Sequence, residues 1–421
     1  MTPLPLLYRL LRAQPHELPA LAWSFAYFFL VLCSYYLLRP VRDTVGVALG
    51  RDELQRLFTV TFAAMLLLVP VFGWLSARLP RARLLPVVYG FFSLNLVFFA
   101  VSLPPAVFFV WLSVFNLFVV SVFWSFMSDV FETAQAGRLY GAIAAGGSCG
   151  AITGPLIASI VLKHEYLLVI SALLLAASIV CILMLSRWSA KNPRKGDPPP
   201  DQPIGGSILA GARAALSSPF LLAICGYLFC YTALSTALYF HQVTIVREAL
   251  PDPREQTRFF ARIDLVVNSL TLAIQLLAFS RLASLIGVTG LLVAMPLISI
   301  AGFLWLGATP TLAALVVFGV TRRVGEFALS KPARETLFTA VPREDRYKAK
   351  NFIDTVIYRF GDLGSAWMQK GMEVLGFGTY ATFGLGIVFS GLWAVNAFSL
   401  GRQYERRKKE APGQAGEAHF T

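Results

Sequence analysis

Charged side chains occur inside apolar stretches of this chain, where an ionisable group is costly and usually marks a functional position. Arg39, Arg42 and Asp43 stand at i, i+3 and i+4, a spacing that places all three on one face of a helix. Two guanidinium groups against one carboxylate leave one positive charge to spare. Because the planar guanidinium fork matches phosphate and carboxylate oxygens, we predict that this face binds an anion.

Other charged and aromatic residues recur at helical spacing in later apolar stretches. Arg322 and Arg323 lie four and three residues before Glu326, within reach of its carboxylate on a helix. We expect a substrate-binding set in which arginines hold the anion and tyrosines stack on or hydrogen-bond an attached ring: Tyr35, Tyr36, Arg39, Arg42, Asn268, Arg322, Arg323, Tyr358 and Arg359. A second set is expected to balance charge, carry protons or form gates: Asp43, Asp129, Arg138, Arg262, Asp264, Glu326, Lys331, Asp354 and Asp362.

Apolar helices must position these residues, because the chain is 57% hydrophobic and 14% charged, whereas soluble proteins average about 25% charged residues. A helix needs about 20 residues to cross about 30 Å of hydrocarbon. The stretches of sufficient length are 20–48, 55–77, 84–102, 105–130, 139–162, 165–187, 219–246, 257–282, 286–307, 310–330, 350–374 and 379–401. The predicted fold class is an all-α integral membrane protein with twelve transmembrane helices in two bundles of six.

A polar, proline-rich interruption divides the predicted spans into two equal groups. The expected organisation is a cytoplasmic interfacial segment, an N-terminal six-helix bundle, a cytoplasmic linker, a C-terminal six-helix bundle and a basic cytoplasmic tail: 1–19, 20–187, 188–218, 219–401 and 402–421.

The excess of basic residues has a topological explanation. The 36 lysines and arginines exceed the 23 acids by 13, and most of them fall in the segments on one side of the predicted spans. The positive-inside rule then places both termini in the cytoplasm, and we expect a multi-pass protein of a bacterial inner membrane. The expected partners are the lipid bilayer and a small anionic substrate, without nucleic acid, and the protein is expected to function as a monomer.

Depth in the membrane divides the remaining charges into two groups. Residues of the first and eighth spans fall in the outer halves, whereas those of the fourth, fifth, tenth and eleventh fall in the inner halves or at the cytoplasmic ends. We expect an ion-pair network at each level, made alternately as two halves rock about a central site. The alternative is that these charges are static pairs that stabilise the bundle.

Small residues indicate where helices pack closely. Gly146, Gly150 and Gly154 recur at i, i+4 and i+8 in the fifth span, which lets another helix backbone approach. The five cysteines all lie in apolar runs and are expected to be core residues, and no metal site or cofactor is expected.

Several motifs resemble a known family of transporters. The segment 73–83 is similar to the loop motif of the major facilitator superfamily, with Ala77 in place of the motif's acid. The segments 331–364, 42–45 and 123–140 resemble regions of the bacterial and plastid ATP/ADP translocase (nucleotide transporter) family. This resemblance implies the twelve-helix major facilitator fold and membership of the translocase-like branch.

Together these features predict a secondary active transporter of an organic anion, such as a nucleotide or another phosphorylated metabolite, working by exchange or proton coupling. An alternative within transport is an amphipathic anion, such as a muropeptide or a lipid-linked phosphate. A different class is a membrane scaffold or sensor that transports nothing. An enzyme is not expected, because no nucleophile–base pair or metal cluster shares one depth.

Overall fold

The computed structural model describes residues 14–78, 81–161, 163–192, 208–341, 349–350 and 352–410. Helices dominate these residues, and no strand occurs among them. The helices are α1 Leu18–Leu49, α2 Arg51–Arg78, α3 Arg81–Val101, α4 Pro105–Val130, α5 Thr133–Ile160, α6 His164–Lys191, α7 Ile208–Ser217, α8 Pro219–Ala249, α9 Pro253–Leu277, α10 Phe279–Ala308, α11 Leu312–Gly325, α12 Lys331–Leu337, α13 Tyr358–Val374 and α14 Thr379–Glu410.

The described helices follow the predicted spans closely. Nine of them are long and apolar enough to cross a bilayer: α1, α3, α4, α5, α6, α8, α9, α10 and α14. The other predicted spans correspond to α2, to α11 with the helical turns after it, and to α13 with the turn before it. The all-α membrane class is therefore confirmed.

Several helix limits differ from the prediction. The eighth span ends at Leu277 instead of 282, and α10 begins at Phe279, inside the predicted eighth span. The backbone of α10 leaves the helical region at Gly287, with φ 64° and ψ −179°, a conformation that glycine adopts at little steric cost. The last helix continues to Glu410, so part of the predicted basic tail is helical.

The regions between the predicted bundles are described only in part. α6 continues to Lys191 and α7 lies inside the predicted linker. Residues 1–13, 193–207 and 411–421, which carry most of the expected interfacial segment, the proline run of the linker and the end of the tail, lie outside the described residues.

α1 and α5 are in backbone contact along the predicted glycine stripe. A Cβ atom built on Gly146 would lie 2.4 Å from the carbonyl oxygen of Phe25, and one on Gly150 would lie 2.3 Å from that of Phe29. A Cβ atom built on Gly154 would lie 2.7 Å from the carbonyl oxygen of Cys33. The expectation that these glycines allow close helix packing is confirmed.

Two π-helical turns interrupt the later helices. Glu326–Ser330 follows α11 directly, and Ile353–Ile357 precedes α13 directly. Each turn carries an acidic residue, Glu326 in the first and Asp354 in the second. Single π-helical turns are rare and occur often at functional sites.

Contacts group the chain into two compact units. The first contains residues 1–49, 63–203 and 250–268, and the second contains 50–62, 204–249 and 269–421. The core of the first unit is rich in aromatic residues, with Phe28 and Phe123 stacked at a centroid distance of 4.1 Å. The second unit buries Trp393 completely, 5.2 Å from the ring of Tyr227.

Candidate functional site

The charged face of α1 finds its partners within the first unit. Arg39 pairs with Asp264 of α9, with 3.3 Å between Nη1 and Oδ1. Asp264 is almost fully buried, and the guanidinium of Arg39 also lies 5.9 Å from the ring of Tyr36. Arg42 pairs with Asp43 at 3.0 Å and lies 5.3 Å from the ring of Phe109.

This arrangement corrects the predicted charge balance of α1. The sequence pattern left one of two arginines without a carboxylate, but the structure supplies Asp264 from another helix. The prediction of a spare positive charge on this face is therefore wrong. A periodicity argument considers one helix at a time and does not include acids that pack against it from elsewhere.

Hydroxyl groups connect the same helices near this ion pair. The hydroxyl oxygens of Thr44 in α1 and Thr257 in α9 are 2.8 Å apart. His164 Nε2, at the start of α6, lies 2.8 Å from the same Thr257 oxygen. Further along α9, Asn268 donates to the carbonyl oxygen of Ala151 in α5 at 2.7 Å. Arg39, Thr44 and Asn268 thus all take part in contacts that hold α9 within this unit.

The remaining predicted residues of the first unit lie in different surroundings. Tyr35 and Tyr36 form an edge-to-face pair with centroids 5.1 Å apart. Arg262 is exposed, and its position two residues before Asp264 puts it on another side of α9. Asp129 is half-buried near the end of α4.

Arg138 has a partner that the sequence patterns did not indicate. Its Nη2 lies 2.9 Å from Oε1 of Glu17, just before α1, and Gln135 donates to the same oxygen at 3.0 Å. Burial favours the neutral acid, but hydrogen bonds from Arg138, from the Gln14 N–H and from Gln135 outweigh it and lower the pKa of Glu17. This contact clamps the start of α1 to α5.

In the second unit, Arg322 is buried against aromatic and hydroxyl side chains. It is 4% exposed, its guanidinium lies 5.2 Å from the Tyr231 ring, and its Nη2 donates to Ser235. Its Nε and Nη1 make no hydrogen bond to any residue that the structure describes. Although the spacing puts Glu326 within reach of Arg322, no ion pair joins the two among those residues.

Glu326 pairs with Arg334, a basic residue that lies between the predicted spans 310–330 and 350–374 and so counts toward the cytoplasmic excess of charge. Its Oε1 lies 3.5 Å from Nη1 of Arg334, and Nη2 of Arg334 lies 3.8 Å from Oδ1 of Asp354. Arg334 is 5% exposed, which is incompatible with a loop cation that only reports topology. Both acids stand on the π-helical turns, which bring them to the same arginine.

The eleventh-span residues form a neighbouring group on α13. Arg359 Nη1 lies 3.2 Å from Oδ2 of Asp362, and Thr236 of α8 donates to the other carboxylate oxygen at 2.8 Å. The guanidinium of Arg359 is 5.5 Å from the ring of Tyr358. Tyr358 in turn lies 6.5 Å from Tyr231, the ring that the buried Arg322 contacts.

Other predicted residues are less central to the second unit. Arg323 is half-buried, whereas Lys331 is exposed at the start of α12. The structure therefore brings together Arg322 and Tyr358 through Tyr231, a residue absent from the predicted set. Two tyrosines four residues apart, Tyr227 and Tyr231, were the available signal in the seventh span.

Comparison with known proteins identifies the fold and the family. Residues 24–321 match the family model described as Major Facilitator Superfamily, which covers well over half of the chain. The chain belongs to the major facilitator superfamily. This assignment agrees with the helical architecture and makes the protein a multi-pass membrane transporter by family.

Relatives within the superfamily include carriers of nucleotides. ADP,ATP carrier protein 1 of Chlamydia muridarum is 21% identical over 445 residues, covering 86% of this chain and 83% of that protein. Among solved structures, the POT family transporter PepTSo has a TM-score of 0.65 at 13% identity, with 93% and 98% of the two chains covered. The nucleoside transporter NupG has a TM-score of 0.58 at 16% identity, with 92% and 98% covered.

The predicted resemblance to the ATP/ADP translocases is confirmed at the level of homology. At these identities the solved structures establish the shared major facilitator fold. The relatives' printed substrates describe those proteins.

Proposed function

We propose that this major facilitator protein is a secondary active transporter of an organic anion that combines a planar ring with phosphate, such as a nucleotide. The observation that carries the proposal is Arg322, a buried guanidinium with unused donors that contacts the ring of Tyr231, which in turn lies next to the ring of Tyr358. A buried charged donor without an acceptor is costly, and a phosphate or carboxylate oxygen would satisfy it.

The aromatic residues support a substrate with a flat ring. Tyr231 and Tyr358 lie side by side within the second unit, and Arg359 and Arg322 contact their rings. A ring stacked on one tyrosine would keep its phosphate within reach of the neighbouring guanidinium. The homology to an ADP,ATP carrier supports the same class of substrate.

Transport would require buried acidic residues to separate from their arginine partners and pair again. Asp264, Glu326 and Asp362 are buried and each is paired with an arginine. Alternating access requires such pairs to separate and re-form as the two halves move. We propose that they do so during exchange of substrates or in response to protons, in a bacterial inner membrane with both termini in the cytoplasm.

Counterflow in proteoliposomes tests this function directly. Purified protein is reconstituted with internal ADP, a sugar phosphate or a peptidoglycan fragment, and uptake of the labelled compound is followed with and without a pH gradient. We expect saturable exchange of the phosphorylated ring compound. If none of these compounds exchanges under either condition, the transport proposal is wrong.

Two arginine variants test whether Arg322 binds the transported substrate. Arg322→Gln should weaken the apparent affinity by about tenfold or more, because a hydrogen bond to a charged group contributes about 1.5–3 kcal/mol. Arg281→Gln is the matched control, since Arg281 is exposed near the start of α10. Equal uptake by both variants would remove Arg322 from the substrate site.

A further inference from the structure

Arg334 is a buried cation whose surroundings do not suit a purely structural ion pair. It lies in α12, the short helix that follows the first π-helical turn, and is 5% exposed. Its two contacts to carboxylates, 3.5 Å to Glu326 and 3.8 Å to Asp354, exceed the roughly 2.7–3.2 Å of a hydrogen bond. The acids therefore offset its charge without using its donors.

Unused hydrogen-bonding capacity remains on both sides of this contact. Nε and Nη1 of Arg334 make no hydrogen bond to the residues that the structure describes, and the same is true of Oε2 of Glu326. Glu326 is 3% exposed, so water is largely excluded from its side chain. Leaving buried charged groups without hydrogen bonds costs free energy, and a closer ligand would recover it.

Arg322 and the segment that carries Arg334 contact neighbouring turns of α8. The guanidinium of Arg322 lies 5.2 Å from the centroid of the Tyr231 ring. Tyr227, one turn earlier on α8, has its hydroxyl bonded to Ser330 at 2.8 Å, and Ser330 ends the π-helical turn that leads directly into the helix of Arg334. Two buried guanidinium groups with unused donors thus belong to segments that meet the same stretch of α8.

We propose that Arg334 is a second anion-binding arginine, which shares the phosphate of the substrate with Arg322, and that Glu326 and Asp354 are internal competitors for it. This inference rests on the proposed transport of a phosphorylated anion. A phosphate offers several oxygens to two planar forks, whereas the two acids reach Arg334 only at ion-pair distance. Binding would therefore exchange an internal carboxylate for a substrate oxygen.

Competition predicts opposite effects for the arginine and its acid. Titration of purified protein with ADP and with inorganic pyrophosphate, followed by calorimetry, measures binding without transport. Arg334→Gln and Arg334→Lys should each weaken binding, by about tenfold or more for the glutamine variant. Glu326→Gln should tighten binding of both ligands, because the internal competitor loses its charge while its shape is kept.

The outcomes separate this inference from the proposed function. If wild-type protein and Arg281→Gln bind ADP but Arg334→Gln and Arg334→Lys bind it equally well, Arg334 is not in the site and the transport proposal stands. Weaker binding by Glu326→Gln overturns the competition and makes the acid part of a structural pair. If wild-type protein binds neither ligand, both proposals fail. Glu326→Gln also keeps the test decisive when Arg334→Gln does not fold.

Discussion

The contact between α1 and α5 provides a quantitative test of the fold, because it is possible only where a residue of α5 is glycine and has no Cβ atom. In Gly150→Ala the new Cβ would lie 2.3 Å from the carbonyl oxygen of Phe29, whereas ordinary contact begins at 3.4 Å, a shortfall of 1.1 Å. The nitrogen of Cys33 lies at 2.9 Å from the same point. Both obstacles are backbone atoms, so neither can move away without displacing α1.

The expected cost follows from these distances. Overpacking a dense core costs about 1–3 kcal/mol, and here the rigid backbone on both sides favours the upper part of that range. Replacing glycine by alanine inside a helix returns about 0.5–1 kcal/mol. We therefore expect Gly150→Ala to destabilise the protein by about 1–2 kcal/mol.

A matched glycine on the same helix isolates the packing effect. Gly141 also lies in α5, but a Cβ built there meets no atom within 4 Å. Gly141→Ala should be neutral or slightly stabilising. Reversible unfolding in mixed detergent micelles gives the difference between the variants. Equal stability of Gly150→Ala and Gly141→Ala would refute the close approach of the two helices.

Two further predictions concern ion pairs of the first unit. Arg39→Gln and Asp264→Asn should each destabilise the protein, with a coupling of about 0.5–3 kcal/mol in the double-mutant cycle; strictly additive effects would show that the pair at 3.3 Å contributes nothing. Because the folded protein lowers the pKa of Glu17, the contact between Glu17 and Arg138 stabilises the fold fully at pH values above the ordinary pKa of a glutamate. This stabilisation is lost as the pH falls through the lower pKa that Glu17 has in the folded protein. Thermal unfolding over acidic pH should show this loss in wild-type protein and not in Glu17→Gln, and identical profiles would contradict it.

The features that depended on one helix at a time were predictable from the sequence. Apolar length located the spans, and the i, i+4, i+8 spacing of Gly146, Gly150 and Gly154 identified a face that lies on the α1 backbone. Both signals are periodic along a single element and need no knowledge of its neighbours.

Partners across helices were not predictable in the same way. Spacing puts Arg39 on one helix face with Asp43, but Arg39 pairs with Asp264, which lies 225 positions further along the chain. Spacing also puts Glu326 within reach of Arg322 and Arg323, yet Glu326 pairs with Arg334, eight residues later. A π-helical turn between them changes the register, and its presence depends on packing that a propensity pattern does not contain.

Use of the positive-inside rule left one buried arginine out of the predicted site. The rule explains most basic residues near the ends of spans, and Arg334, which lies between the predicted spans 310–330 and 350–374, counts among them as a loop cation. Burial separates the two kinds of cation: Lys331 is exposed, whereas Arg334, three residues later, is buried against two acids. Composition and depth in the membrane describe Lys331 and Arg334 alike, so they do not predict which of these two cations is buried.

Arg39 of the first unit and Arg322 of the second differ in whether a carboxylate neutralises them, and this difference bears on where an anion would bind first. In the first unit, Arg39 has a carboxylate at 3.3 Å on another helix, so its charge is already neutralised within the protein. In the second, Arg322 has no carboxylate among the described residues, and Arg334 shares two carboxylates at longer range. A satisfied pair resists an incoming anion because substrate must first displace an acid, whereas unused donors lower the cost of binding. For the anion transport proposed above, we therefore expect recognition to begin at Arg322 in the second unit, and the Arg39–Asp264 pair of the first unit to open during the cycle.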